Sequence, residues 1–374
     1  MRQIILLFLF FSFCFQNSNA QSGLKLNQIQ IIGSHNSYKK LPKPQVNAFL
    51  EKIKKQLGKQ DPSGLDYGHL PFDSQFSNYK MRGLEIDINN DPKGGLYYKR
   101  RINAFVHGVK QKSGVEELKK PGMKVLHIKD VDFETNYYTF KESLAALKQW
   151  SDAHPKHLPI FINLEAKGAG PGDRSGAARF LGFKRSIPFD DAAADSIDAE
   201  IKSVFGEDAK NILTPDRLRG TYATLDEMAT HNGWPALEDC LGKLVFILLG
   251  QAGEEYLHNH DGLKGRVCAM FSHPGKAECA FVKVDEPEPV AKIQDLVKKG
   301  YIVRTRSDAE TVEARSNDYT RLNACFESGA QIISTDYYKP DLRFSTFTVQ
   351  FPNHEAGKAN PVNGGDITKA LPGE

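Results

Sequence analysis

Apolar residues along this chain alternate between two rhythms. Short runs rich in β-branched residues at 29–33, 82–88, 124–128, 159–165, 243–249, 301–305 and 331–335 read as strands, and 267–272 competes with 280–284 for one more. Between them the spacing turns helical. Val46, Phe49, Leu50, Ile53 and Leu57 share one face of a helix predicted within 39–60 and ended at Gly58. Similar spacing predicts helices over 140–150, 190–205, 290–299 and 309–328, with further turns in 225–240. Strand-then-helix repeated about eight times predicts an α/β chain in a distorted TIM-type (β/α)8 barrel, with an extended loop and helical insertion after strand four at 159–165. A doubly wound open sheet is the alternative. The glycine-rich 168–176 lacks the spacing of a phosphate-binding fingerprint and reads as a flexible active-site loop. The tail from 340 carries no motif, and no internal repeat is visible.

The polar interruptions cluster just past strand ends. Ile29, Ile31 and Ile32 close on Gly33, and Ser34, His35, Asn36 and Ser37 follow at once. An ordinary turn uses the same residue types, but α/β proteins also place chemistry there. In 82–88 the period of two sends Leu84, Ile86 and Ile88 to one face and Glu85 and Asp87 to the other. Between buried strands two such carboxylates are costly, and a cation between them resolves the cost. His127 ends 124–128, and Glu165, followed by Lys167, ends 159–165. Singly, each has a bland reading: a structurally satisfied histidine, or a plain Glu165–Lys167 ion pair. In a barrel, His35, Asn36, Glu85, Asp87, His127 and Glu165 all converge on one half of one mouth. Three carboxylates and an amide oxygen are hard ligands that suit Ca2+, with Mg2+ second, rather than zinc. The two imidazoles are then left for proton transfer.

Composition sets limits on this reading. A formal charge of +3 is too small to argue for nucleic acid, and 25% charged with 40% hydrophobic residues is ordinary for a globular protein. Arg2, an apolar run over 4–15 and Ser18-Asn19-Ala20 have the form of a cleavable leader, 1–20. That leaves 21–374 as a single barrel domain, secreted or periplasmic. In such a compartment Cys240, Cys268, Cys279 and Cys325 can pair. Cys268 with Cys279 closes the shortest loop, and buried free thiols are an equal alternative.

Four strings carry a resemblance: Gly33-Ser34-His35-Asn36-Ser37-Tyr38, Arg82-Gly83-Leu84-Glu85-Ile86-Asp87, Val125-Leu126-His127 and Pro159-Ile160-Phe161-Ile162-Asn163-Leu164-Glu165. Together they resemble the catalytic-barrel motifs of the calcium-dependent phosphoinositide phospholipase C family, closest to its compact secreted bacterial branch. Arg219-Gly220-Thr221-Tyr222, Asn232-Gly233-Trp234-Pro235, Arg304-Thr305-Arg306-Ser307-Asp308 and Ser334-Thr335-Asp336-Tyr337 extend it over most of the mature chain. The resemblance implies that Asn36, Glu85, Asp87 and Glu165 bind Ca2+, and that Glu85 or Glu165 takes the proton of the inositol 2-hydroxyl. It implies that His35 holds the pentavalent phosphorane and that His127 protonates the departing glycerol oxygen. The products would be diacylglycerol and inositol 1,2-cyclic phosphate, which water can open. Lys167, Arg304 and Arg306 would contact phosphate or inositol. One departure stands out. Where eukaryotic members carry two histidines two apart, this chain has only His127 before Ile128-Lys129-Asp130, and Asp130 and Asp132 either join the metal site or cap the loop. His273 reads as structural.

The expected partner is an inositol phospholipid or related inositol phosphodiester, met by a monomer. Leu96, Tyr97 and Tyr98 beside Lys99, Arg100 and Arg101 suit transient contact with an anionic lipid surface. So do Phe180, Leu181, Phe183, Lys184, Arg185, Ile187 and Phe189, although packing on the barrel rim accounts for both loops equally well. Two other functions fit the same pattern of acids and histidines: a metal-dependent glycerophosphodiester phosphodiesterase, and a secreted lipid- or inositol-binding barrel without turnover.

Overall fold

The computed structural model describes residues 23–57, 61–366 and 371–373. The expected leader and the helix stop at Gly58 lie outside these residues. Eight parallel strands form a nearly closed, distorted barrel with helices between them, in the order β6-β5-β4-β2-β1-β9-β8-β7. They are β1 (Ile29–Ser34), β2 (Gly83–Asn89), β4 (Ile160–Ala166), β5 (Leu244–Gly250), β6 (Ala269–Met270), β7 (Phe281–Lys283), β8 (Ile302–Arg306) and β9 (Ile332–Thr335). A single bridge, Phe271 to Phe281, joins β6 to β7, so the seam lies there.

The strand count was legible, but its membership differs. The 124–128 run is not a barrel strand: β3 (Lys124–Val125) is two residues long and lies antiparallel across the end of β2. The physical reason is competition. One edge of β2 pairs in parallel with β4 from Gly83–Phe161 to Ile88–Ala166, and the other meets β1 at Gly33–Gly83 and the Ser37 turn at Glu85, so only the last residues of that second edge are open to β3. Both 267–272 and 280–284 then supply barrel strands, β6 and β7, rather than competing. The tail beyond 340 contributes β10 (Gly357–Ala359), antiparallel to β1.

The helices follow from apolar spacing closed by polar caps. α1 (Pro44–Lys52) starts later than the spacing suggested, with Pro44 in its first turn, where a missing N–H leaves no helical hydrogen bond unmade. α2 (Phe72–Tyr79) follows Pro71 and is too short to show a period. α3 (Phe140–Ala153) opens on a capping box, in which Glu142 N donates to Thr139 Oγ1 and Thr139 N donates to Glu142 Oε2. The insertion after β4 holds α4 (Pro171–Arg174), α5 (Gly176–Phe180), α6 (Asp191–Phe205), α7 (Pro215–Arg219) and α8 (Leu225–Thr230). α9 (Gly253–Leu257) and α10 (Val290–Lys298) follow. The helix expected over 309–328 is broken into α11 (Val312–Ser316) and α12 (Thr320–Ser328) by a left-handed Asn317. Ile86, Ile162, Leu164, Phe246 and Leu248 of the strands pack with Leu144, Leu147 and Ile197 of α3 and α6 in one core. The four cysteines are buried free thiols, so the Cys268–Cys279 bridge is not formed. Among the described residues no helix is long and apolar enough to cross a membrane.

Candidate active site

Two glycines set the site's geometry. Gly33 of β1 faces Gly83 of β2, and a Cβ on Gly33 would stand 2.7 Å from the Gly83 Cα. Without side chains the two strands approach closely, which brings the turn after β1 against the acids of β2. Ser37 N donates to the Glu85 carbonyl, and Glu85 N donates to Ser37 Oγ. Asn36 takes a left-handed φ of 48° in this turn, a conformation asparagine tolerates.

Asp87 and Glu165 are register partners across β2 and β4. One carboxylate oxygen from each of Glu85, Asp87 and Glu165 lies within 4.8 Å of the others. Asn36 is buried, donates from Nδ2 to the Tyr67 hydroxyl at 2.7 Å, and leaves its Oδ1 without a hydrogen-bond partner. Neither oxygen of Asp87 takes part in a hydrogen bond, although Lys167 Nζ lies 3.0 Å from Oδ2. Burial pushes the Asp87 carboxyl up to about 7 despite Lys167. Burial would lower Lys167, but Asp87 and Glu165 outweigh it and hold the ammonium charged. Hard oxygens with unused lone pairs, gathered at a buried point, fit Ca2+.

Both histidines are held by carboxylates. His35 Nδ1 stands 2.8 Å from Asp336 Oδ1, and its Nε2 is 3.4 Å from Glu85 Oε1. Burial, and then Arg306, depress the His35 imidazole well below its ordinary value. His127 Nδ1 stands 2.8 Å from Asp132 Oδ2. His127 therefore reaches the mouth from the loop after β3 and not from a barrel strand. Asp130 caps its loop by accepting from the Arg101 and Lys184 amides, and does not join the acid cluster.

Arg304 and Arg306, expected to contact phosphate, pair with acids of the site. Arg304 is buried, donating to Glu85 Oε2 at 2.7 Å, to Ser334 Oγ at 3.2 Å and to Asp285. Arg306 donates to Asp336 Oδ2 at 3.0 Å. Sequence reasoning assigned no role to Asp336, to Lys39 or to Tyr67. Position within or beside a resembling string was the only signal for Asp336 and Lys39, and Tyr67 had none. A groove of about 660 Å3 opens over the β6–β7 seam, lined by Gln251, Phe271, His273, Lys276 and Lys283 among others. His273 thus lines a groove beside the mouth.

The two aromatic loops divide. Tyr97 and Phe189 are buried in the core. Phe180 is 92% exposed, and Leu181, Phe105 and Leu41 are exposed with it. Phe105 stacks on Phe183 and on Phe49, and the Arg101 guanidinium lies 5.1 Å from its ring centroid.

Comparison with known proteins bears on this geometry. The family described as "Phosphoinositide phospholipase C, Ca2+-dependent" matches residues 24–361. A search of curated protein sequences finds no match. Among solved structures, the calcium-dependent phosphoinositol-specific phospholipase C of a Gram-negative Pseudomonas species, apo form, superposes with a TM-score of 0.54 at 14% identity, covering 91% of this chain and 97% of that one. A second structure of that enzyme, titled as a myoinositol complex, gives 0.53 at 14% identity, covering 91% and 96%. At that identity the likeness shows a shared fold.

Proposed function

The chain belongs to the calcium-dependent phosphoinositide phospholipase C family, and on that premise we propose that it is an exported phosphodiesterase acting on inositol phospholipids. Cleavage between glycerol and phosphate, by attack of the inositol 2-hydroxyl, would release diacylglycerol and leave inositol cyclic phosphate. The observation that carries this reading is the buried oxygen cluster of Asn36, Glu85, Asp87 and Glu165, flanked by two carboxylate-held histidines. Bound there, Ca2+ would lower the pKa of the 2-hydroxyl and offset charge developing on the phosphate.

The chain's own groups supply the rest. Glu85 has Arg304 on Oε2 and His35 on Oε1, whereas Glu165 has Lys167 on Oε1 alone. Glu165 is therefore the carboxylate with a lone pair available to take the hydroxyl proton. His35, anchored through Asp336 to Arg306, faces the phosphorus from the β1 side and holds the phosphorane. His127 delivers a proton to the glycerol oxygen as it leaves. Lys167 stays at the cluster as a contact for phosphate or inositol, while Arg304 and Arg306 act by fixing Glu85 and Asp336. A monomer would meet the lipid surface through Phe180, Leu181 and Phe105, which adjoin Arg101. The leader at 1–20 would direct export, leaving one barrel domain over 21–374. Release of diacylglycerol from phosphatidylinositol vesicles tests the reading. It should stop on chelation of calcium and in Asp87→Asn; turnover indifferent to chelator would overturn it.

A further inference from the structure

Lys39 follows the His35 turn by four residues, and its side chain is 0% exposed. Its Nζ donates to the carbonyls of Leu65 and Tyr67, each at 2.8 Å, and lies 4.5 Å from the Tyr67 ring centroid. It also stands 3.3 Å from Asp132 Oδ2, the oxygen that lies 2.8 Å from His127 Nδ1. Asp132 is buried too, and its Oδ1 has no hydrogen-bond partner. A buried carboxylate without a cation would take up a proton and cease to be a strong acceptor.

We propose that Asp132 and Lys39 are positioning residues for His127: Asp132 turns the Nδ1–H inward so that Nε2 faces the mouth, and Lys39 keeps Asp132 ionised. The proposal rests on the reading of His127 as the proton donor to the leaving oxygen. Burial by itself would raise the Asp132 carboxyl, yet Lys39 and the His127 hydrogen bond hold it below its ordinary value. Asp87 on β2, His35 after β1 and Asp336 after β9 also lie in electrostatic reach of His127. The variants below leave all three in place.

The test compares two substrates that share the inositol phosphate but differ in leaving group. Phosphatidylinositol needs its glycerol oxygen protonated; a nitrophenyl ester of inositol phosphate does not. Asp132→Asn should lower kcat on the phospholipid on the order of 10²–10⁴-fold and on the nitrophenyl ester less than about tenfold. Lys39→Met should show the same split, and Lys39→Arg should retain activity on both. Equal loss on both substrates would reduce Asp132 and Lys39 to structural support and overturn the proposal. Should the variants not fold, ¹⁵N NMR of the wild-type histidines decides. The neutral form of His127 is expected to carry its proton on Nδ1, and a neutral form with the proton on Nε2 instead would overturn the proposal. Wild-type protein inactive on both substrates would instead count against the phospholipase reading, and the NMR result would still judge the His127 arrangement.

Discussion

Lys167 Nζ lies 3.0 Å from Asp87 Oδ2, close enough that its ammonium balances part of the charge that would hold a cation. Removing it should leave the oxygen cluster more negative. At a separation of about 4 Å and an effective dielectric near 20, one unit charge amounts to roughly 4 kcal/mol before relaxation. Lys167→Met should therefore bind Ca2+ about tenfold or more tightly by calorimetry, while turnover falls through loss of a substrate contact. Weaker calcium binding in this variant would mean that Lys167 builds the cluster rather than balances it.

The contact between Gly33 and Gly83 predicts a stability effect with a functional consequence. A Cβ on Gly83 would lie 2.9 Å from the Gly33 Cα, against backbone that cannot swing aside. Gly83→Ala should cost about 2–3 kcal/mol in denaturant unfolding, as overpacking does. It should also weaken calcium binding, because β1 carries Asn36 toward the acids of β2. Unchanged stability and unchanged binding would show that β1 and β2 can part without disturbing the site.

His69 ties stability to pH. Buried among Tyr67 and Tyr338, it donates from Nε2 to the His35 carbonyl at 2.8 Å, and its Nδ1 has no partner. Burial lowers its imidazole to about 4. The unfolded chain therefore binds a proton at this position from about pH 6.5 downward while the folded chain does not. Stability contributed here is full above pH 6.5 and declines as pH falls toward 4, by roughly 3 kcal/mol in all. Denaturant titrations at several pH values should show that decline, and His69→Gln should flatten it. A slope unchanged by the substitution would place the proton uptake elsewhere.

Exposure separates the aromatic residues that could meet a lipid surface. Phe180→Ser with Leu181→Ser should lower cleavage of phosphatidylinositol in vesicles on the order of tenfold and spare a water-soluble inositol phosphodiester. Tyr97→Ser or Phe189→Ser, in contrast, removes a core side chain and should lower the melting temperature. Equal loss on vesicles and soluble substrate in the Phe180/Leu181 variant would remove the docking role.

These contrasts mark how far the sequence alone could be read. Barrel strands announce themselves as short runs rich in aliphatic residues, unbroken in β5 and broken by face-alternating polar residues in β2, so β1, β2, β4, β5, β8 and β9 were legible to within a residue or two. The run at 124–128 shows the limit. Its pattern is that of a strand, but whether it enters the barrel depends on which partner β2 takes, and pairing is not written in local periodicity. The acids Glu85, Asp87 and Glu165 were legible because alternation fixes their face. The groups that hold the histidines were not. Lys39 and Asp336 come from segments far apart in sequence from the rings they serve, directly or through Asp132, and a buried lysine looks like any surface lysine until its environment is known. Tyr97 and Phe189 read like exposed loop aromatics for the same reason.

The central claim is that the cluster of Asn36, Glu85, Asp87 and Glu165, with His35 and His127 beside it, runs calcium-dependent cleavage through a cyclic inositol phosphate. ³¹P NMR of the purified protein with phosphatidylinositol micelles tests it most directly, first with calcium and then with chelator. A cyclic phosphate resonance that requires calcium and is lost in His35→Ala and in His127→Ala is the predicted result. Silence in both samples, together with release of glycerol phosphate from glycerophosphoinositol, would contradict it and make the chain a glycerophosphodiester phosphodiesterase.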